Sequence, residues 1–234
     1  MQLYQKVLLG FFFCFPFAAS YSQEDSKIAV DSLYREDQFY IGINYNLLAN
    51  TPKDVSLRGF SGGLQLGYLR DMPINKRRNV AIAVGAGLTV DTYGQNLFIG
   101  EDENEQSIFT VLMEDDVSFD RNRLSVYVAE IPFEFRWRTS TPESYKFWRI
   151  HAGFRVGYAF FYKSKFKQTG NEVNQTNIEE FDPLRLTTTL AFGYNTFNFF
   201  ASYSINPFFD NATTTEGEAI DIRTIKLGLI FYIL

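Results

Sequence analysis

From residue 39 to the end of the chain, apolar and polar residues alternate in short segments, and no apolar run there reaches the ~20 residues that a membrane-spanning helix requires. A period of two sends successive side chains to opposite faces of an extended strand, so the pattern specifies strands with one oily and one polar face. Eight such segments are predicted, over 39–47, 60–70, 79–91, 123–137, 147–162, 184–194, 197–206 and 221–233. In the first, Phe39, Ile41, Ile43, Tyr45 and Leu47 oppose Tyr40, Gly42, Asn44 and Asn46. In the fifth, Trp148, Ile150, Phe154, Val156, Tyr158, Phe160 and Tyr162 are expected on the oily face, against Arg149, His151, Gly153, Arg155 and Gly157.

A soluble β-sandwich also alternates, but it must bury its aromatic face. Here aromatic residues make up 18% of the chain, with 25 Phe and 14 Tyr, which calls for a wall that accepts many rings. The connections also discriminate. Taken as 48–59, 71–78, 92–122, 138–146, 163–183, 195–196 and 207–220, they alternate long and short. Outer-membrane barrels show this asymmetry, with long extracellular loops, short periplasmic turns and, for an even strand count, both termini in the periplasm. Lipid offers no partner to the N–H and C=O groups of a sheet edge, so the sheet must close. The fold class expected is all-β, an eight-stranded antiparallel transmembrane β-barrel surrounded by outer-membrane lipid.

The amino terminus has the pattern of a secretory signal over 1–22: Lys6, an apolar run from Val7 to Phe17, then Ala18, Ala19, Ser20 and Ser22. Residues 23–38 form a polar periplasmic leader, and 39–234 the barrel domain. The single cysteine, Cys14, falls inside the signal, so the mature chain is expected to have no disulfide. Loss of Lys6 makes the formal charge of −5 more negative by one, which argues against a nucleic-acid partner.

An eight-stranded barrel is only wide enough to be filled by side chains, so a porin-like channel is not expected. Glu130, Glu134, Arg136, Arg149, His151, Arg155 and Arg185 fall on the polar faces of the fourth to sixth strands. They would form either a structural network of ion pairs in the lumen or a polar contact site near the periplasmic mouth. His151 is the only histidine, so a site built on several imidazoles is excluded and no metal or other cofactor is expected. A membrane-embedded lipid hydrolase would need His151 as its base. Ser125, assigned to the polar face of the fourth strand with Glu130 and Glu134, is expected to lie too far from it. The segment 92–122 carries Glu101, Asp102, Glu103, Glu105, Glu114, Asp115, Asp116 and Asp120 without calcium-loop spacing, so a solvated acidic loop is favoured over a cation site. Lys76, Arg77 and Arg78 mark a solvated turn, or one that meets lipid phosphates. At the carboxyl end, Lys226, Gly228, Phe231 and Ile233 have spacings similar to the signal that the barrel insertion machinery recognises, although the chain closes on Leu234 rather than an aromatic residue.

The stretch 130–160, EIPFEFRWRTSTPESYKFWRIHAGFRVGYAF, resembles the PorT family of outer-membrane barrels from Bacteroidota. The resemblance is specific in Phe135, Arg136, Trp137, Arg138, Thr139, Ser140, Thr141, Pro142, Tyr145, Lys146, Phe147 and Trp148. It implies a non-enzymatic component of the type IX secretion and gliding machinery, with an accessory or assembly role in export of proteins bearing a C-terminal sorting domain. Periplasmic or outer-membrane secretion-system proteins would be its partners. Arg136, Trp137, Arg138, Tyr145, Lys146, Trp148 and Arg149 are then candidates for a partner-docking surface, since Trp, Tyr and Arg dominate binding hot spots. The same residues also suit an interfacial aromatic belt with snorkelling cations. The alternative function is a general structural or surface-binding barrel.

Overall fold

The computed structural model describes residues 37–113, 118–139 and 147–233. The predicted signal, nearly all of the leader, the acidic residues 114–116, and Tyr145 and Lys146 lie outside the described residues. Eleven strands follow one another: β1 (Gln38–Ala49), β2 (Gly62–Pro73), β3 (Val80–Gly94), β4 (Leu97–Glu101), β5 (Ser107–Val111), β6 (Arg121–Arg138), β7 (Trp148–Gln168), β8 (Asn171–Gln175), β9 (Leu184–Tyr194), β10 (Phe197–Ser204) and β11 (Arg223–Ile233). No helix occurs among the described residues.

Eight of these strands, β1, β2, β3, β6, β7, β9, β10 and β11, form an antiparallel meander in which each pairs with the next. The return pairing of β11 with β1, from Phe39 opposite Ile233 to Ala49 opposite Arg223, closes the barrel. Each of the eight predicted segments falls on one of these strands, although β2, β3 and β7 run beyond the predicted ends at 70, 91 and 162. Closure satisfies the backbone groups that the first and last strands would otherwise leave bare.

The alternation is inverted relative to a soluble protein. Tyr40, Gln65, Asp91, Glu134 and Arg155 are buried inside, while Phe60 is 77% and Phe199 71% exposed on the outer wall. An apolar exterior of this extent is stable only against lipid. Two aromatic levels bound it on β6 and β7. Trp137 and Trp148 lie near the short turns, and Tyr127, Phe160 and Phe161 lie toward the long loops. Trp137 and Tyr127 are ten residues apart on one strand, about 33 Å at ~3.3 Å per residue. A tilt of ~40° reduces that to about 25 Å, the height of the apolar band of an outer-membrane barrel.

A bulge on β7 changes one expectation. Tyr127 pairs with Phe161 and Val128 with Ala159, so Phe160 is an extra residue and both phenylalanines face outward. Beyond the bulge the parity of β7 is reversed. Tyr162, predicted on the lipid face, instead turns inward and stacks on Phe181 at 4.0 Å between ring centres.

The long connections are folded. β4 and β5 form a hairpin whose Leu97, Ile99 and Phe109 are buried, and β8 pairs with the upper part of β7. Together with Val55, Ile178, Phe181, Phe208, Phe209, Ala212, Ile220 and Ile222 from the other long connections, the hairpin builds an apolar core over the barrel mouth. The loop expected to be a solvated acidic segment therefore has an oily inner face. Its acidic residues Glu101, Asp102, Glu103 and Glu105 cluster at the hairpin tip. There the backbone amides of Gln106 and Asn104, at 2.9 and 2.7 Å from Asp102 Oδ1, hold that carboxyl below the usual range. Among the described residues no group of acidic, histidine or cysteine side chains is placed to hold a metal.

Candidate functional site in the barrel lumen

The polar face of each strand converges on a lumen with little free space, and its contents change along the axis. At the short-turn end, Asp71 receives two parallel hydrogen bonds from Arg138, at 3.0 and 2.9 Å, and a third from Arg136 at 3.2 Å. Arg136 Nε also donates to Glu134 Oε2 at 3.0 Å. All three members of the Asp71–Arg136–Arg138 group have fully buried side chains. Arg138 Nε donates to the carbonyl oxygen of Arg78, which ties the first short turn to the network. His151 faces Glu134 at 3.7 Å, and Arg149 donates to the carbonyl oxygen of Asn195 while lying over the Phe147 ring.

One level higher, Arg155 donates to Glu130 Oε1 and Gln65 Oε1, each at 2.6 Å, between the rings of Tyr40 and Phe200. Tyr40 needs glycine neighbours. A Cβ at Gly67 would come within 2.6 Å of its ring, and one at Gly87 would strike its hydroxyl. Above this level, Asp91 accepts from Asn44 and Asn46 at 3.1 Å each and from Lys226. Arg185 pairs with Asp182 at 3.6 Å beneath the apolar core and lies over Phe181 and Phe208.

These partners decide what the site can do. Buried carboxylates and guanidinium groups that pair with one another fill and stiffen an interior. The candidates Glu130, Glu134, His151, Arg155 and Arg185 all point inward, but they belong to three successive levels rather than one network. Asp71 and Asp91 were missed. Strand two was expected to end at residue 70, although Asp71 continues the parity of Gly63, Gln65, Gly67 and Leu69. Asp91 ends the inner face of the predicted segment 79–91, where Ala81, Ala83, Gly85 and Gly87 present little side chain, so nothing else in that segment's sequence marks a charged lumen.

The candidate docking residues are divided by the sheet. Arg136, Arg138 and Arg149 are buried in the lumen, and Trp137 and Trp148 face outward, with Trp148 stacked on Phe192 at 5.3 Å. The described members therefore form no common surface, because residues 136, 137 and 138 alternate across the wall. A correction also applies to Ser125. Its odd position places it on the outer face, where its hydroxyl meets that of Thr92 at 3.2 Å. The rung of His151 lies opposite Arg136, eleven residues further along β6 and about 36 Å away at ~3.3 Å per residue. Ser125 and His151 cannot meet.

No curated protein matches the chain. Solved structures similar to it include Ail, the attachment invasion locus protein of Yersinia pestis, in complex with the heparin analogue sucrose octasulfate. That likeness has 15% identity over 86% of this chain and 100% of Ail, with a TM-score of 0.38. A second Ail structure matches at 17% identity, over 85% of this chain and 99% of that one, with a TM-score of 0.34. Residues 21–210, well over half of the chain, match the family described as outer membrane protein beta-barrel domain. Closed eight-stranded topology, an oily wall and a polar filled lumen agree with that match, and the chain belongs to this family of outer-membrane β-barrels.

Proposed function

We propose that this protein is a non-conducting structural or surface-binding barrel whose working face is its folded long-loop end, displayed outside the cell, with both termini in the periplasm. The observation that supports this most is the apolar core built by the long connections. Connections that served only to link strands would not need a buried hairpin, and a loop held rigid by a core presents a fixed surface to a ligand. The test replaces residues 97–111 with a short Gly-Ser linker. Surface adhesion of cells carrying this variant should fall while barrel insertion is unchanged. Adhesion at the natural level with the hairpin absent would overturn the reading. Labelling of a cysteine placed at Asn104 on intact cells should succeed, and its failure would reverse the orientation.

A second reading, an accessory or assembly role in type IX secretion, is favoured by the PorT-like block 130–160. With its arginines inside the lumen, that block would offer a secretion-system partner Trp137, Trp148 and the connection between β6 and β7, which includes Tyr145 and Lys146. Deletion of the gene should then leave cargo with a C-terminal sorting domain in the periplasm while other barrels stay normal. Trp137→Ala with Trp148→Ala should do the same in an inserted barrel. Normal secretion in both strains would end this reading.

A further inference from the structure

Above the upper aromatic level, the outer wall of β6 and β7 carries a ladder of cations. Arg121 and Arg123 face outward, because their neighbours Asn122 and Leu124 are buried. The bulge at Phe160 turns Lys163, Lys165 and Lys167 to the same side, since Ser164 and Phe166 now point inward and are buried. The register sets Arg123 directly opposite Lys165 and Arg121 directly opposite Lys167, with Lys163 one rung below, opposite Ser125. Arg58 joins Arg121 and Arg123 along a cleft of about 670 Å³ that Asp120 also lines. Among the described residues Glu172 on β8 answers part of the ladder: it lies opposite Lys167 in the β7–β8 register and accepts from Lys165 Nζ at 2.6 Å.

Like charges directly opposite one another weaken a strand pair, and two successive rungs here are cationic on both strands. Glu172 offsets the lysine side of these rungs, and an anion lying across Arg121 and Arg123 would offset the other. The position identifies the anion. Lys163 and Arg123 lie on the rungs two and four residues beyond Tyr127, about 5 and 10 Å higher at ~3.3 Å per residue and the same ~40° tilt, and the long side chains of Arg121 and Lys167 on the next rung can reach back toward that level. The hydrocarbon layer of a bilayer is about 30 Å thick within about 40–45 Å overall, so a group just above the aromatic level lies among headgroups. Phe160 and Phe161 below the ladder, and the exposed Phe60 beside it, continue it without a break into the lipid-facing wall.

We propose that Arg121, Arg123, Lys163 and Lys167 form a docking ladder for the phosphate groups of anionic lipids surrounding the long-loop end of the barrel. The guanidinium groups can each hold two phosphate oxygens, and the lysines supply mobile point charges that adapt to neighbouring headgroups. The bulge makes the ladder, because without it Lys163 and Lys165 would point into the barrel mouth. The proposal rests on the membrane-spanning fold and not on the adhesion or secretion readings; the orientation proposed above only decides which leaflet supplies the lipid.

The test uses the full mature chain in phosphatidylcholine nanodiscs, with spin-labelled phosphatidic acid or spin-labelled phosphatidylcholine as the probe. The natural barrel should retain phosphatidic acid preferentially, and rising salt should weaken the preference. Replacing all four residues with Gln should reduce that preference by about tenfold or more, given what each basic residue contributes near an anionic surface. In neutral detergent the same variant should be no less stable than the natural chain, since a repulsion has been removed. Lys163→Arg with Lys167→Arg should keep the preference. If the fourfold variant fails to insert, Arg121→Gln with Lys167→Gln carries the test at a smaller loss. An unchanged preference in an inserted variant would overturn the proposal. So would complete competition by millimolar inorganic phosphate, which would assign the ladder to a free anion rather than a lipid.

Discussion

At the short-turn end the barrel is closed by ions, with Arg136 and Arg138 converging on Asp71 and Glu134, whereas at the long-loop end Leu97, Phe109, Phe181, Phe208 and Phe209 fill the mouth with carbon. The difference follows from what each end has available. Short turns cannot fold over an opening, so the strands must close it themselves with long side chains from their polar faces. Long connections can bring their own apolar residues and bury them. The two closures should fail differently. A network of buried charges loses most when one member is removed, because its partners stay behind unpaired. An apolar core loses the contacts of the deleted group and then partly resettles.

Asp71→Ala should have the largest effect. It leaves two buried guanidinium groups short of their shared carboxylate, at a cost of about 3–5 kcal/mol, read from the urea midpoint of the detergent-folded barrel. A loss below about 1 kcal/mol would mean that water reaches this end and that the two closures do not differ as described. Phe209→Ala should come next, at about 3 kcal/mol, the low end for a buried phenylalanine because the cap can resettle. Its signature should be local, with faster proteolysis of the long loops and an unaltered heat-dependent gel shift of the barrel. Equal loss in both assays would make the cap and barrel one cooperative unit.

The strands were legible in the sequence because a two-faced wall between lipid and a filled lumen imposes strict alternation from Phe39 to Ile233. The lumen was only partly legible. Parity puts Glu134, Arg136, His151 and Arg155 inside, but which charges meet depends on registers between strands far apart in the chain, as with Asp71 and Arg138. The turn assigned from residue 71 onward also hid Asp71. Tyr162 and the outward lysines could not be placed by parity, since a single extra residue at Phe160 reverses everything beyond it. The cap was hidden by composition. The acidic hairpin tip dominates the segment 92–122, although Leu97, Ile99 and Phe109 carry the alternation that folds it.

Smaller changes refine the same contrast. Glu130→Gln keeps an acceptor for Arg155 but removes the charge, so it should cost about 1.5–3 kcal/mol, less than Asp71→Ala, where two arginines are stranded. The smallest effect belongs to the exposed extension formed by β7 and β8. There the hydrogen bond from Lys165, followed by that from Asn174, pulls the Glu172 carboxyl from 4.5 down to about 2. A depressed carboxyl stabilises its pair above the unfolded value and loses that contribution as pH falls toward the folded one. An NMR titration should therefore show β8 loosening only between about pH 4.5 and 2, with the rest of the barrel unchanged. Titration at the ordinary value would remove the pair from the account.

The most direct test is electrical, because an interior closed by ions at one end and by carbon at the other should carry no current. The purified, folded barrel reconstituted in planar bilayers should show no stable single-channel conductance, and a steady porin-sized current would contradict the filled lumen on which the account depends.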